Sequence, residues 1–328
     1  MSDSATKGGG EVVAVGLKPS RHGTLAARRS GWAPYRRHAG LIRMIALPLA
    51  VLVLFNYVPM VGLIIAFKNF AMKDGMLASQ WVGLENFYRL FSGPEFLRAL
   101  RNTVIISVLR LGFGFFVPVI LALMLNELRL TLLKKSVQTL TYVPYFFSWV
   151  ILGGIFIMML TGGGPIDSAV RSAGAGRVEF LSDPVWFVVV LVATGIWQGA
   201  GHAAVIYLAA LATIDPNLYE AAAVDGASRW RQTLHVTLPC LVPTMIVLFI
   251  LSLGGILNAG FDQVFNMYNP SVYVSADIID TYVLRRLIAM DFSLATAAGM
   301  FKSVVGMALI VAANWGARRM SRGEQGIW

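Results

Sequence analysis

The chain has 328 residues, 57% of them hydrophobic and only 13% charged, with a formal net charge of +10. Soluble domains carry about 25% charged residues, so this composition excludes a soluble globular chain and requires a membrane. The single cysteine, Cys240, excludes an internal disulfide or a thiolate metal cluster, and His22, His38, His202 and His235 lack metal-ligand spacing.

Residues 1–41 combine Gly8-Gly9-Gly10, scattered Ser and Pro, and a basic run at Arg28, Arg29, Arg36 and Arg37. They are expected to form a disordered basic cytoplasmic tail without a cleaved signal peptide. Six apolar stretches follow, about 42–67, 103–126, 137–160, 184–211, 241–261 and 296–316. Each exceeds the ~20 residues that cross a hydrocarbon core of about 30 Å. The fold class expected is all-α: a polytopic membrane protein of six transmembrane helices over 42–316, with a short tail at 317–328. Pro48 and Pro59 are expected to interrupt the first span, Pro118 the second and Pro144 the third. Gly195 and Gly199 in the fourth span have the spacing that lets helices approach closely.

The loops set the orientation. Residues 1–41 with Arg43, then 127–136, 212–240 and 317–328, hold 16 Lys/Arg against 7 Asp/Glu; the alternate set, 68–102, 161–183 and 262–295, holds 9 against 10. The positive-inside rule makes the first set and both termini cytoplasmic. The basic surplus is therefore a topology signal and not a nucleic-acid footprint.

The cytoplasmic segment 212–240 carries the most specific pattern. Asp215 followed by Pro216 is an N-cap with a first-turn proline, and an alanine run sustains the helix. Gly226 ends that helix, and Ser228 caps a second one expected to stop at Pro239. The result is a helix–turn–helix with a small, flat alanine surface suited to docking in a partner's groove.

Glu220-Ala221-Ala222, Gly226 and Leu238-Pro239 resemble the EAA loop of ABC importer permeases. Val82-Gly83-Leu84-Glu85-Asn86-Phe87, with Phe96 and Asn102-Thr103, resembles the external stretch of carbohydrate permeases of the maltose-transporter superfamily. Gly260-Phe261-Asp262-Gln263-Val264-Phe265-Asn266, Tyr268-Asn269-Pro270 and Ile279-Asp280-Thr281-Tyr282-Val283 are similar to the LplB-like branch, which imports oligosaccharides, and within it to alginate importer permeases. The resemblance implies a type I ABC importer permease fold and a bacterial inner-membrane location. It implies a heterodimer with a second homologous permease subunit, two cytoplasmic ATPase subunits that bind ATP and Mg, and a periplasmic or extracellular solute-binding protein. It also makes 212–240 the coupling loop, with Glu220 contacting the ATPase and Ala221 and Ala222 forming the packed face. Gly226 allows the bend between the two helices, Asp225 belongs to the same ATPase-coupling set, and Leu238 and Pro239 close the motif.

No GxxxxGK[ST] run is present, since Gly162-Gly163-Gly164-Pro165 lacks the lysine that reaches a phosphate. The chain is expected to be a transport subunit that binds no cofactor of its own and is not itself an enzyme. Candidates for the sugar path are Arg110, Trp197, Gln198, Asn258, Asp262, Gln263 and Lys302, with His202 and Asn266 nearby in sequence. An ion within a span costs several kcal/mol unless paired or hydrated. Arg110 and Lys302 therefore either face water and attract an anionic sugar, or snorkel or pair between helices. Trp197-Gln198 offers stacking and amide hydrogen bonds to a sugar ring, or core packing. The alternative function is a secondary transporter or channel for small polar solutes.

Overall fold

The computed structural model describes residues 39–174 and 176–320. The expected disorder of 1–38 and the segment 321–328 lie outside the described residues. By internal contacts the chain divides into two units, Met1–Pro59 and Met60–Trp328. Among the described residues, six helical segments are long and apolar enough to cross a membrane: Arg43–Phe67, Pro94–Glu127, Trp149–Ser172, Pro184–Leu211, Arg229–Gly254 and Phe292–Gly316.

The first unit holds α1, Ala39–Leu52, with Pro48 inside it, followed by a π turn at Val53–Tyr57. A 3₁₀ segment, Val58–Phe67, begins at the end of the first unit and lies mostly in the second. In the second unit a two-residue strand β1, Lys68–Asn69, pairs antiparallel with β2, Gln80–Trp81. Then come α2 (Glu85–Ser92), α3 (Pro94–Glu127), α4 (Thr131–Tyr142), α5 (Trp149–Leu160), α6 (Pro165–Ser172) and α7 (Pro184–Leu211). After them come α8 (Pro216–Val224), a helical turn at Arg229–Gln232, α9 (Leu238–Gly254), α10 (Phe261–Met267), α11 (Ile279–Ile288) and α12 (Phe292–Met320).

Prolines decide where these helices bend. In two places a π turn stands just ahead of a proline. Val58 N–H bonds the Val53 carbonyl before Pro59, and Leu238 N–H bonds the Thr233 carbonyl before Pro239. The wider turn draws the preceding carbonyls clear of the ring, so the helix continues. The second loop helix consequently does not stop at Pro239; it runs from Arg229 into α9. Pro118 does not interrupt α3 either, because losing one N–H is tolerated in a buried helix held by its neighbours. Pro144 does break the chain. The stretch expected as one span over 137–160 is α4, a 3₁₀ turn at Val143–Phe146, an extended Ser148, and then α5. The fifth span ends at Gly254, short of 261, in a 3₁₀ turn at Ile256–Asn258 and two left-handed residues, Ala259 (φ 44°) and Gly260 (φ 75°).

The spine of the second unit is α3 beside α7, running parallel: Arg110 bonds the Leu191 carbonyl, and Gly114 faces Ile196. Three buried clusters flank it. One joins Ile106, Phe187 and Leu191 to Val264 and Ile278. A second joins Phe96 and Ala99 to Tyr282 and Ala297. A third, toward the 212–240 end, joins Val119 and Ala122 to Ala204, Tyr207 and Leu241. Close helix approach belongs to Gly201, where a Cβ would collide with the Thr141 carbonyl of α4; Gly199 faces open space.

The end of the bundle opposite 212–240 is held by a buried polar hub. Asp277, fully buried, receives both Nη atoms of Arg285 at 2.6 and 2.7 Å and Thr281 Oγ1 at 2.7 Å. This pairing holds the Arg285 proton more tightly than usual. Asn102 donates to the Val274 and Asp277 carbonyls, and Thr103 Oγ1 accepts from Ile279 N–H. Asn86 donates to the Ala66 and Lys68 carbonyls. Removing one partner of a buried ion pair costs about 3–5 kcal/mol. Asp277→Ala is therefore expected to lower the thermal midpoint of the detergent-solubilised protein strongly. Arg286→Ala, at the exposed Glu95 pair, is expected to cost no more than about 1 kcal/mol. Equal shifts in scanning fluorimetry would show that the Asp277 hub does not organise this end.

Candidate functional site

The 212–240 segment folds by local chemistry. Asp215 Oδ1 accepts from Asn217 N–H at 2.9 Å, Pro216 opens α8, and the helix closes in a Schellman motif. In that motif Ala227 N–H bonds the Ala222 carbonyl at 2.9 Å and Gly226 N–H bonds the Ala223 carbonyl at 3.1 Å. Gly226 sits at φ 74°, a left-handed conformation that disfavours side chains. Tyr219 Oη meets Thr237 Oγ1 at 3.1 Å, and Gln232 donates to the Ala227 carbonyl, tying α8 to the following turn. No residue of α8 is buried, and Val224 is 89% exposed. Glu220, Ala221, Asp225 and Gly226 are exposed and Ala222 is half-buried, so the helix presents an uncovered face. Leu238 is half-buried against the lower cluster, whereas Pro239 is exposed.

Within the bundle, Arg110 is held by two acceptors. Its Nη2 donates to Gln263 Oε1 and to the Leu191 carbonyl at 3.4 Å. Gln263, fully buried, donates in turn to the Leu191 carbonyl at 3.0 Å and to Thr194 Oγ1 at 2.6 Å. Gly195 and Gly260 open the slot; a Cβ on Gly260 would overlap the guanidinium. No carboxylate lies within ion-pair distance of Arg110 among the described residues, and its Nε is buried without a partner. Arg110 is thus held by polar groups of the bundle and pairs with no acid among the described residues.

Arg110 lines a cavity of 380 Å³ between α3, α7 and the break after α9. Asn258 and Gly260 line it too, and they also line a second cavity of 530 Å³ with Asp262, Gln263, Asp280 and Lys302. Asn258, Asp280 and Lys302 further line a third cavity, of 490 Å³, between α9 and α12. Asn258 is exposed and borders all three. The structure therefore brings together Arg110, Asn258, Asp262, Gln263 and Lys302. It leaves Trp197 and Gln198 apart: Trp197 is half exposed with its ring edge-on to Phe156, and Gln198 contacts the Phe147 carbonyl at 3.4 Å. His202 stacks on Tyr145 with ring centroids 3.9 Å apart, and Asn266 donates to the Asp262 carbonyl.

Lys302 is not a free cation. Its Nζ lies 2.6 and 2.7 Å from the two oxygens of Asp280. Asp280 was absent from the candidates, although a lysine inside a span demands a nearby carboxylate. Gly260 was also missed; a glycine opposite an intramembrane arginine was the available signal.

Residues 114–323 match the family described as binding-protein-dependent transport system inner membrane component. The polygalacturonan/rhamnogalacturonan transport system permease protein YteP of Bacillus subtilis (strain 168) is 43% identical over 84% of this chain and 86% of its own length. Protein LplB of the same organism is 42% identical over 90% of this chain and 94% of its own. A solved bacterial ABC transporter involved in the import of the acidic polysaccharide alginate contains a chain 39% identical to this one. The two superpose with a TM-score of 0.82 over 88% of this chain and 98% of that one. A bacterial alginate ABC transporter in complex with alginate pentasaccharide-bound periplasmic protein gives 38% identity and a TM-score of 0.83, over 90% and 99% of the two chains. The chain belongs to the binding-protein-dependent transport system inner membrane components, the multi-pass permease subunits of ABC importers.

Proposed function

We propose that the chain is one permease subunit of an ATP-driven importer for acidic oligosaccharides. It would pair with a second homologous permease, two separate ATPase subunits that carry ATP and Mg, and a solute-binding protein. Its relatives are named for polygalacturonan/rhamnogalacturonan transport and for import of the acidic polysaccharide alginate. The observation that carries the acidic substrate is Arg110, a cation with no carboxylate within 4 Å among the described residues, lining a cavity within the bundle. Asn258, Asp262, Gln263 and Lys302 would form the rest of the path, with Gln263 orienting Arg110 rather than meeting sugar.

The loop 212–240 would couple transport to the ATPase, with Glu220, Ala221, Ala222 and Asp225 on the docking surface. Gly226 would set the bend, and Leu238 and Pro239 would seat the segment on the bundle. Both termini would face the cytoplasm. The charges support that orientation. The coupling-loop side with the two termini holds 16 Lys/Arg against 9 on the opposite side. An excess of Lys and Arg beside the spans favours the cytoplasmic side. The Lys302–Asp280 pair is of a kind that a secondary transporter could use, but the family does not favour that alternative.

In the reconstituted importer, Gly226→Val is expected to strain the bend by about 1–2 kcal/mol. That would lower substrate-stimulated ATP hydrolysis roughly tenfold, with membrane insertion intact. Gly226→Asn, which tolerates a positive φ, should retain most activity, and Glu220→Lys should fall with the valine variant. Normal stimulated hydrolysis in both Gly226→Val and Glu220→Lys would remove the coupling role. Arg110→Gln should reduce uptake of uronic oligosaccharides at least roughly tenfold relative to neutral ones, the scale of a charged hydrogen bond. An unchanged ratio would remove Arg110 from the path.

A further inference from the structure

The Lys302–Asp280 pair stands where two of the cavities meet. Both residues line the 530 Å³ and the 490 Å³ spaces, with side chains 18% and 23% exposed. Asp280 is the second residue of α11, where the helix N-terminus favours a carboxylate. Its two oxygens hold Lys302 Nζ at 2.6 and 2.7 Å, so the ammonium is already satisfied by an anion of the chain itself. Asp262 lines the same 530 Å³ cavity and has no cation within 4 Å among the described residues. That cavity therefore carries two carboxylates against one ammonium. The 380 Å³ cavity on the other side of Asn258 and Gly260 carries Arg110 and no carboxylate.

From this asymmetry we infer that Asp280 is a specificity-determining residue of the path. It cancels the charge of Lys302 and thereby leaves Arg110 as the one lining cation, among the described residues, open to a sugar carboxylate. A uronic acid group is steered to the Arg110 side of Asn258, and the Asp280–Lys302 side receives hydroxyl-bearing parts of the chain. The inference rests on the acidic-oligosaccharide reading above and assigns the charge of its path.

The test uses the complete importer in liposomes with its binding protein. ATP hydrolysis is titrated with a uronic oligosaccharide and a neutral one of equal length, and the ratio of half-saturating concentrations is compared between variants. Asp280→Asn frees Lys302 and should shift the ratio toward the acidic sugar by about threefold, the scale of one partly exposed ion pair. Lys302→Met leaves Asp280 and Asp262 unopposed and should shift it the other way. In Arg110→Gln, adding Asp280→Asn should recover part of the acidic preference, because the freed lysine substitutes for the guanidinium. A merely structural role for the pair would weaken both sugars alike and leave the ratio fixed. A fixed ratio in Asp280→Asn and Lys302→Met, or shifts of the opposite sign, would overturn the inference while leaving the acidic substrate in place. A wild-type importer stimulated by the neutral sugar alone would instead overturn the substrate class, and this inference with it.

Discussion

A guanidinium inside a membrane bundle must find acceptors for its donors, and that requirement organises the middle of this protein. Arg110 finds them in the Leu191 carbonyl and in Gln263 Oε1. A helical carbonyl has a second lone pair beyond its backbone bond; at Leu191 Gln263 takes it at 3.0 Å and Arg110 shares the oxygen at 3.4 Å. Gln263 can reach this point only because the fifth span is broken. The turn at Ile256–Asn258 and the left-handed pair Ala259–Gly260 redirect the chain so that α10 packs against α5 and α7. The break also leaves Asn258 exposed at the junction of three cavities. Backbone that departs from regular helix at membrane depth is tolerated where it lines such a space.

The two ends of the bundle solve different problems. The end built on Asp277, Asn102, Thr103 and Asn86 is a cap in which Asn86, Asn102 and Thr103 bind backbone groups of other segments while Asp277 holds the Arg285 and Thr281 side chains. Such satisfied networks specify one arrangement and make a rigid surface. The 212–240 end instead keeps α8 on a Schellman bend, with the Tyr219–Thr237 and Gln232–Ala227 hydrogen bonds as ties and its own face uncovered. One end is therefore rigid, and the other presents an exposed, locally closed helix.

Much of this architecture was legible in the sequence because its signals are local. Asp215-Pro216 and Gly226 specify a cap and a bend whatever surrounds them, and the six apolar stretches state their own destination. The motif residues Asn86, Asn102, Thr103 and Asn269 stood out as resemblance alone; the structure supplies their physics as donors and acceptors to distant backbone. Non-local facts were hidden. Pro239 continues a helix because a π turn precedes it, and nothing in the residue order separates that from a stop. Lys302 could snorkel, face water or pair with an acid until Asp280, 22 residues away, was brought beside it. Trp197 and Gln198 have the right chemistry for a sugar, yet their helix turns them away from the cavities that Arg110 and Lys302 border.

The central claim is that the cavities meeting at Asn258 are the route of the sugar. It is tested most directly by placing a single cysteine there, Asn258→Cys with Cys240→Ser, in the assembled importer. A membrane-impermeant charged thiol reagent should label this position. Uronic oligosaccharide delivered by the binding protein under turnover should protect it. A position that stays unlabelled throughout the ATP cycle, or that labels equally with and without sugar, would contradict the account.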